Sequence, residues 1–410
     1  MHRLTGETRN YAWGSRTLLP RFLGRDSDGD PHAELWVGAH PGDPARLADG
    51  TTLLDLLTEH PGRELGSAVA DRFGGRLPFL MKALAAAEPL SLQVHPTHQR
   101  AEQGFARENG AGIAIGSPRR SYQDASHKPE LIYAVTRFEG MAGFRDVDRS
   151  IAILELLGLP WADEIARDLA HGTPAEALHR VVSGLLSLRD PELSDALVDL
   201  AKAARTAEER SHRQRPPTTR HHRERTSVER EAVRVFAQAA ALAERYPGDP
   251  GVLVTLLLNH VVLSPGEAMF LDAGVVHAYT SGFGVEIMAS SDNVVRAGLT
   301  PKHVDVDELL EIADFTPMPP PLCPGRPVPD GLVSFSPPVE EFTLHVGVAP
   351  ATALPATGPR IVLVLDGEVH LATAAERLHL TRGDAVFVGH DEGALEVTGT
   401  GRVAVGAVPG

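Results

Sequence analysis

The chain of 410 residues contains a single cysteine, Cys323. One thiol forms no intrachain disulfide and builds no thiolate-rich metal site, and this poverty of cysteine fits a reducing, intracellular setting. Lysine is nearly as scarce: Lys82, Lys128, Lys202 and Lys302 are the only four, in a background that otherwise uses arginine. Positive charge is short overall, with a formal net charge of -15 and a pI near 5.7. That balance argues against nucleic acid or an anionic membrane surface as the main partner. No apolar run approaches the length of a membrane span, and the first seven residues lack the apolar core of a signal peptide. The expectation is a cytoplasmic protein, a monomer, with neither nucleic-acid nor membrane partners.

What is present is ordinary globular composition, 42% hydrophobic and 23% charged, on a length that suggests roughly two to four domains. Residues 1–150 are rich in Gly and Pro. Short apolar runs at Ala33–Gly38, Leu77–Leu84 and Leu131–Val135 give a mainly β pattern. Helices are expected near Leu53–Leu57 and over His98–Glu108, the second after a Pro96-Thr97 start signal. From about 150 to 250 the composition shifts to Ala, Leu, Glu and Arg with helical periodicity, as in Ile151–Leu157 and Glu229–Tyr246, which reads as a helical insertion. Within it, Arg205–Arg225 carries many arginines, His212, His221, His222 and a Pro216-Pro217 break. Interspersed acids and the lack of interleaved aromatics favour a solvated, mobile loop over a nucleic-acid patch. The β pattern returns from Val252, with a strand at Ala268–Leu271 and a turn at Asp272–Gly274. After a Pro-rich linker at Pro317–Pro329, short strands such as Arg360–Leu365 and Ala385–Val388 close the chain.

The stretch Leu90–Pro96 organises the rest. In a strand Ser91, Gln93 and His95 share one face, while Leu92 and Val94 share the other. Three polar groups on one side of a buried strand need partners, which a metal ion or polar ligand would supply.

Gly266, five residues, then Asp272-Ala273-Gly274-Val275-Val276-His277 resembles the second motif of the cupin barrels, in which the His binds metal; the family usually has Pro where Asp272 stands. Gln93-Val94-His95 would occupy the place of the first motif's His-x-His pair. A weak echo, Gly383-Asp384, puts Ala394 at the position matching His277, so the C-terminal copy lacks that ligand and reads as a structural barrel.

Four pieces in order, Gln93–Pro96, His127–Glu130, His277–Tyr279 and Ser290–Lys302, together with Asn10–Ser15 and Ala33–Pro41, resemble the type I phosphomannose isomerases. The resemblance covers residues 10–145 and 250–312 closely. It implies a mainly β architecture: a cupin or jelly-roll catalytic barrel from 1–150 and 251–320, a helical insertion over 151–250, and a second cupin-like barrel over 321–410. It implies one zinc ion held by Gln93, His95, Glu130 and His277. Residue typing alone would have supported only part of this set, since Gln is an unusual zinc ligand. It further implies interconversion of mannose 6-phosphate and fructose 6-phosphate through a cis-enediol.

That chemistry needs a proton-moving group beside the carbonyl, a stabiliser for the oxyanion and cations for the phosphate. Asp292 and Glu286 are both candidates for the first role, and the sequence does not choose between them. Lys128 would stabilise the oxyanion or assist proton movement. Arg296 and Lys302 would contact phosphate or transition state, helped by Ser91 and Lys82, and Tyr279 would line the sugar pocket. Three of the four lysines fall in the resembling stretches. The alternatives are an iron-dependent cupin oxygenase and a non-catalytic sugar-binding barrel.

Overall fold

The structure, a computed structural model, describes residues 1–212, 220–329, 331–351 and 354–410. Its organising element is the strand His277–Ala289, which pairs antiparallel with four others: Phe79–Ala86 and Glu130–Ala134 along its second half, Leu92–Val94 and Phe138–Phe144 at its start. One strand serves two sheet directions because it bends. The register slips between Tyr279 and Ser281, and Gly282 follows at φ 124°. A Cβ there would meet the Arg137 carbonyl oxygen at 2.7 Å, so only glycine admits the approach.

Every residue of Phe79–Ala86 is buried, and the two faces of the strand explain why alternation is absent from its sequence. Leu84 and Ala86 point into one core with Ile132, Phe138, Leu271 and Tyr279. Met81, Ala83 and Ala85 point the other way, into a second core shared with Phe335, Phe342, Leu363 and Phe387 from the C-terminal strands. Burial on both faces removes the period-two signal.

Leu92 and Val94 pack on the helical block, which leaves Gln93 turned to the opposite face of its strand. The block comprises Val147–Glu155, Pro160–Leu169, Pro174–Ser187, Glu192–His212 and Arg220–Arg245. Pro174–Ser187 starts where Thr173 and Glu176 form a reciprocal capping box with Pro174 at its first position, a start signal written in the sequence. The expected helices at Leu53–Glu59 and His98–Gly110 are present, capped by Thr52 and Thr97.

Two expectations are corrected. The Arg-rich stretch is not a loop over its described part: one helix runs on to His212 and the next begins at Arg220, because Arg, Glu and Ala favour helix strongly. The Pro216-Pro217 break lies outside the described residues. The β pattern does not resume at Val252 either. Gly251–Val254 is a helical turn and Thr255–Leu257 a 3-10 turn, and the strand begins at Leu258. A fully buried apolar run has no period to separate helix from strand.

The C-terminal region forms a seven-stranded and a three-stranded sheet. The first strand of the chain, His2–Leu4, is an edge of the larger sheet, with His2 opposite Phe387. Among the described residues no helix is long and apolar enough to cross a membrane.

His260, on the strand Leu258–Leu263, lies 3.1 Å from the Thr255 carbonyl oxygen through Nε2. Burial, then the nearby Arg145 guanidinium, push its pKa down to about 3. The folded state therefore resists a proton that the unfolded chain accepts near pH 6.5, so folding free energy falls by about 1 kcal/mol for each unit of acidification below pH 6. Denaturant unfolding between pH 7 and 5 should show a shallower decline in His260→Gln than in the parent; parallel declines would rule out this source.

Candidate active site

Cross-strand register assembles the centre. Gln93 stands opposite His277 on one side and opposite Arg296 on the other. Glu130 opens its own strand, opposite Met288. His95 follows the short strand, and its Nδ1 donates to the Asn293 carbonyl oxygen at 2.7 Å. His277 Nδ1 donates in the same way to the Val275 carbonyl oxygen at 2.8 Å. Both bonds fix the tautomer and leave an Nε2 lone pair facing the Glu130 carboxylate: His95 Nε2 lies 3.3 Å from one oxygen and His277 Nε2 3.5 Å from the other.

Ligand atoms of His95, Glu130 and His277 all fall within 4.8 Å of one another, and the three residues are buried. His95 Nε2 and Glu130 Oε2 have no hydrogen-bond partner. Two buried acceptors aimed at one point, with a carboxylate between two imidazoles, match the donor set and reach of a zinc ion. Gln93 adjoins the three, its amide nitrogen 3.2 Å from His277 Nε2. Half a turn of the amide exchanges that nitrogen for the carbonyl oxygen at almost no change in shape. Ser91 Oγ donates to the Gln93 amide oxygen at 3.3 Å.

The electrostatics are those of a cation site. Burial drives the His95 pKa down to about 4, against the pull of Glu130. Burial would raise Glu130, yet Lys128 and the two histidines hold it well below the usual carboxylate range. Lys128 Nζ sits 2.8 Å from Glu130 Oε1.

Asn293 braces the centre from behind. Its amide donates to the Asp124 and Ser126 carbonyl oxygens at 2.8 Å, and its side-chain oxygen accepts from the Gln123 and Asp124 N–H groups. With its own carbonyl on His95, Asn293 ties the segment before Lys128 to the imidazole.

A second buried cluster lies on the neighbouring strands. Register sets Lys82 opposite both Glu286 and Trp36; its Nζ is 2.9 Å from Glu286 and 3.6 Å from Glu34, whose carboxylate accepts from Trp36 Nε1 at 2.8 Å. Burial opposes the charge on Lys82, but Glu286, Glu34 and Glu130 together raise its pKa. Glu286 is raised by burial and by its like-charged neighbours despite Lys82. Tyr279 packs edge-on to Phe138 at 5.2 Å, its hydroxyl buried and unpartnered, and burial pushes that hydroxyl far above its ordinary pKa.

At the rim the picture changes. Asp292 keeps 49% of its side chain exposed, 3.5 Å from Nε2 of the buried His40. Neither Arg296 nor Lys302 has an ion-pair partner among the described residues, and burial lowers the pKa of both, that of Lys302 further through Arg296. Lys302 lies over the Tyr11 ring at 5.7 Å, and Tyr11 stacks on Trp13. Glu34, Trp36, His40 and Asn293 were inside the motifs read from the sequence without being given a role; partners so far apart along the chain leave no local signal.

Profiles of two domain families match the chain: "Phosphomannose isomerase type I, catalytic domain" over residues 1–147 and "Mannose-6-phosphate isomerase, cupin domain" over 336–408. The chain is 39% identical to the mannose-6-phosphate isomerase of Salmonella typhimurium, with 98% of each chain covered. It is 32% identical to that of Homo sapiens over 95% of this chain and 93% of the other. The Salmonella crystal structure bound to fructose 6-phosphate and zinc superposes with a TM-score of 0.87 at 36% identity, covering 100% of this chain and 99% of that one. Identity sustained over the whole length, on the same fold, places this chain in the type I phosphomannose isomerase family.

Proposed function

We propose that this protein interconverts D-mannose 6-phosphate and D-fructose 6-phosphate through a cis-enediol, using one zinc ion held by Gln93, His95, Glu130 and His277. The observation that carries the reading is the pair of unpartnered buried acceptors, His95 Nε2 and Glu130 Oε2, beside two rim cations that have no carboxylate partner among the described residues. Bound zinc supplies a Lewis acid that polarises the sugar carbonyl. Residues 1–150 and 251–320 build the catalytic barrel around the insertion 151–250, and 321–410 form a second barrel without a ligand set. The protein works as a cytoplasmic monomer.

The remaining steps belong to side chains. Asp292 takes the proton from C2 of the aldose and returns it to C1, while a second proton passes between O2 and O1, so the sugar gains and loses nothing overall. Its exposure suits this role better than the position of Glu286, which is 3% exposed and held against Lys82. His40 orients Asp292. Lys128 steadies the negative oxygen. Arg296 and Lys302 grip the phosphate, with Ser91, Lys82 and Tyr279 shaping the pocket.

A coupled assay on mannose 6-phosphate with zinc-loaded protein tests the reading, and absence of turnover would end it. Loss of one charge-assisted contact of about 1.5–3 kcal/mol should make Arg296→Ala about ten- to a hundredfold poorer in kcat/KM. Arg296→Lys should recover only part, lacking the planar fork.

A further inference from the structure

The turn between Arg296 and Lys302 has a backbone that L-amino acids resist. Leu299 sits at φ 57° and is the one non-glycine residue with positive φ among those described, a conformation that persists only where its surroundings enforce it. Beside it Gly298 has φ 155°, and a Cβ there would meet the Asp249 carboxylate at 2.5 Å and Gly251 Cα at 2.9 Å. Two glycines thus let two backbone segments touch, and a carboxylate fills the seam.

That carboxylate spends its hydrogen bonds on main chain. Asp249 Oδ1 accepts from the Gly251 N–H at 2.8 Å and Oδ2 from the Leu299 N–H at 2.6 Å. Among the described residues no lysine or arginine forms an ion pair with it, so Asp249 is not there to neutralise a cation. The Leu299 side chain is buried in the core shared with the helical block, but the residues after it are open on one side. Thr300 and Pro301 border a groove of about 820 Å³, whose far wall is Leu186 and Leu193 of the helical block.

We propose that Asp249 is a positioning residue for anion binding: by clamping Leu299 to Gly251 it fixes the turn that sets Arg296 and Lys302 side by side. The inference rests on the reading that these two cations receive the phosphate. Phosphate affinity then depends on a carboxylate that touches neither substrate nor metal.

Asp249→Asn turns one acceptor into a donor facing an N–H. Its KM for mannose 6-phosphate and its inhibition constant for inorganic phosphate should rise together, by about tenfold, with kcat within about threefold and zinc content unchanged. Adding Leu299→Gly should recover most of the loss, because glycine holds positive φ without the clamp. If Asp249→Asn does not fold, Gly298→Ala pushes the carboxylate away by contact and should give the same paired rise. An unchanged phosphate inhibition constant in these variants, or a fall in kcat at constant KM, overturns the clamp. Arg296→Ala separates the two failures. If it weakens phosphate inhibition where Asp249→Asn does not, the clamp alone is wrong; if neither weakens it, the phosphate site falls and takes the clamp with it.

Discussion

Glu130→Gln should reduce bound zinc from about one ion per chain to near zero and kcat by about a thousandfold, as expected when the only carboxylate is removed from a site whose charge stabilises the transition state. The substitution keeps size and shape, so the loss reports charge. Lys128, 2.8 Å from that carboxylate, would then be a buried cation without its partner, and the variant should also melt at a lower temperature. Elemental analysis of purified protein, with isomerase activity measured on the same sample, checks both halves. A variant that kept full metal occupancy would place the ion elsewhere. Full activity without metal would remove the Lewis acid from the mechanism.

The second large effect is on stability. Lys82→Met should cost about 3–5 kcal/mol near pH 8, the usual penalty for leaving a buried charge uncompensated. Glu34 and Glu286 then lack their cation. The sign of the pH dependence follows. Burial and like charges already raise Glu286, and without Lys82 it rises further. A carboxyl with a raised folded-state pKa binds its proton more tightly folded than unfolded, so the variant loses stability as pH rises from the ordinary carboxylate range through the raised folded value, and regains it as pH falls back. Replacing Lys82 and Glu286 together by apolar residues should recover much of the loss, since a whole pair removed leaves less unpaired charge than half of one. Urea denaturation at pH 8 and pH 5 measures the parent and both variants; equal losses at both values in Lys82→Met would show that Glu286 does not take up the proton.

The two halves of the site differ in how far the sequence exposes them. Strand alternation over Ser91, Gln93 and His95 puts three polar groups on one face, and the fold keeps Leu92 and Val94 on the other, packed on helices. Glu130 and His277 came only with the resemblance, and the structure brings His95, Glu130 and His277 within ligand reach of one another. The Lys82 to Glu286 contact joins residues 204 positions apart. It exists because two strands pair in one register, which neither segment states alone. Phe79–Ala86 was legible as a short apolar run after a turn although burial on both faces leaves it no period of two, while complete burial made Val252–Leu257 look like strand. The Arg-rich run misled for a different reason: charge density suggested exposure, which is true of many helices as well as of loops.

The pairing of His2–Leu4 with Ala385–Val388 bears on how the molecule comes into being. On the ribosome His2–Leu4 is made long before the neighbour that completes its hydrogen bonding. Until then that segment has no ladder to join, and the apolar face that the C-terminal strands cover remains open to solvent. A chain cut short before Ala385 would therefore leave both this strand and that apolar face unsatisfied at once.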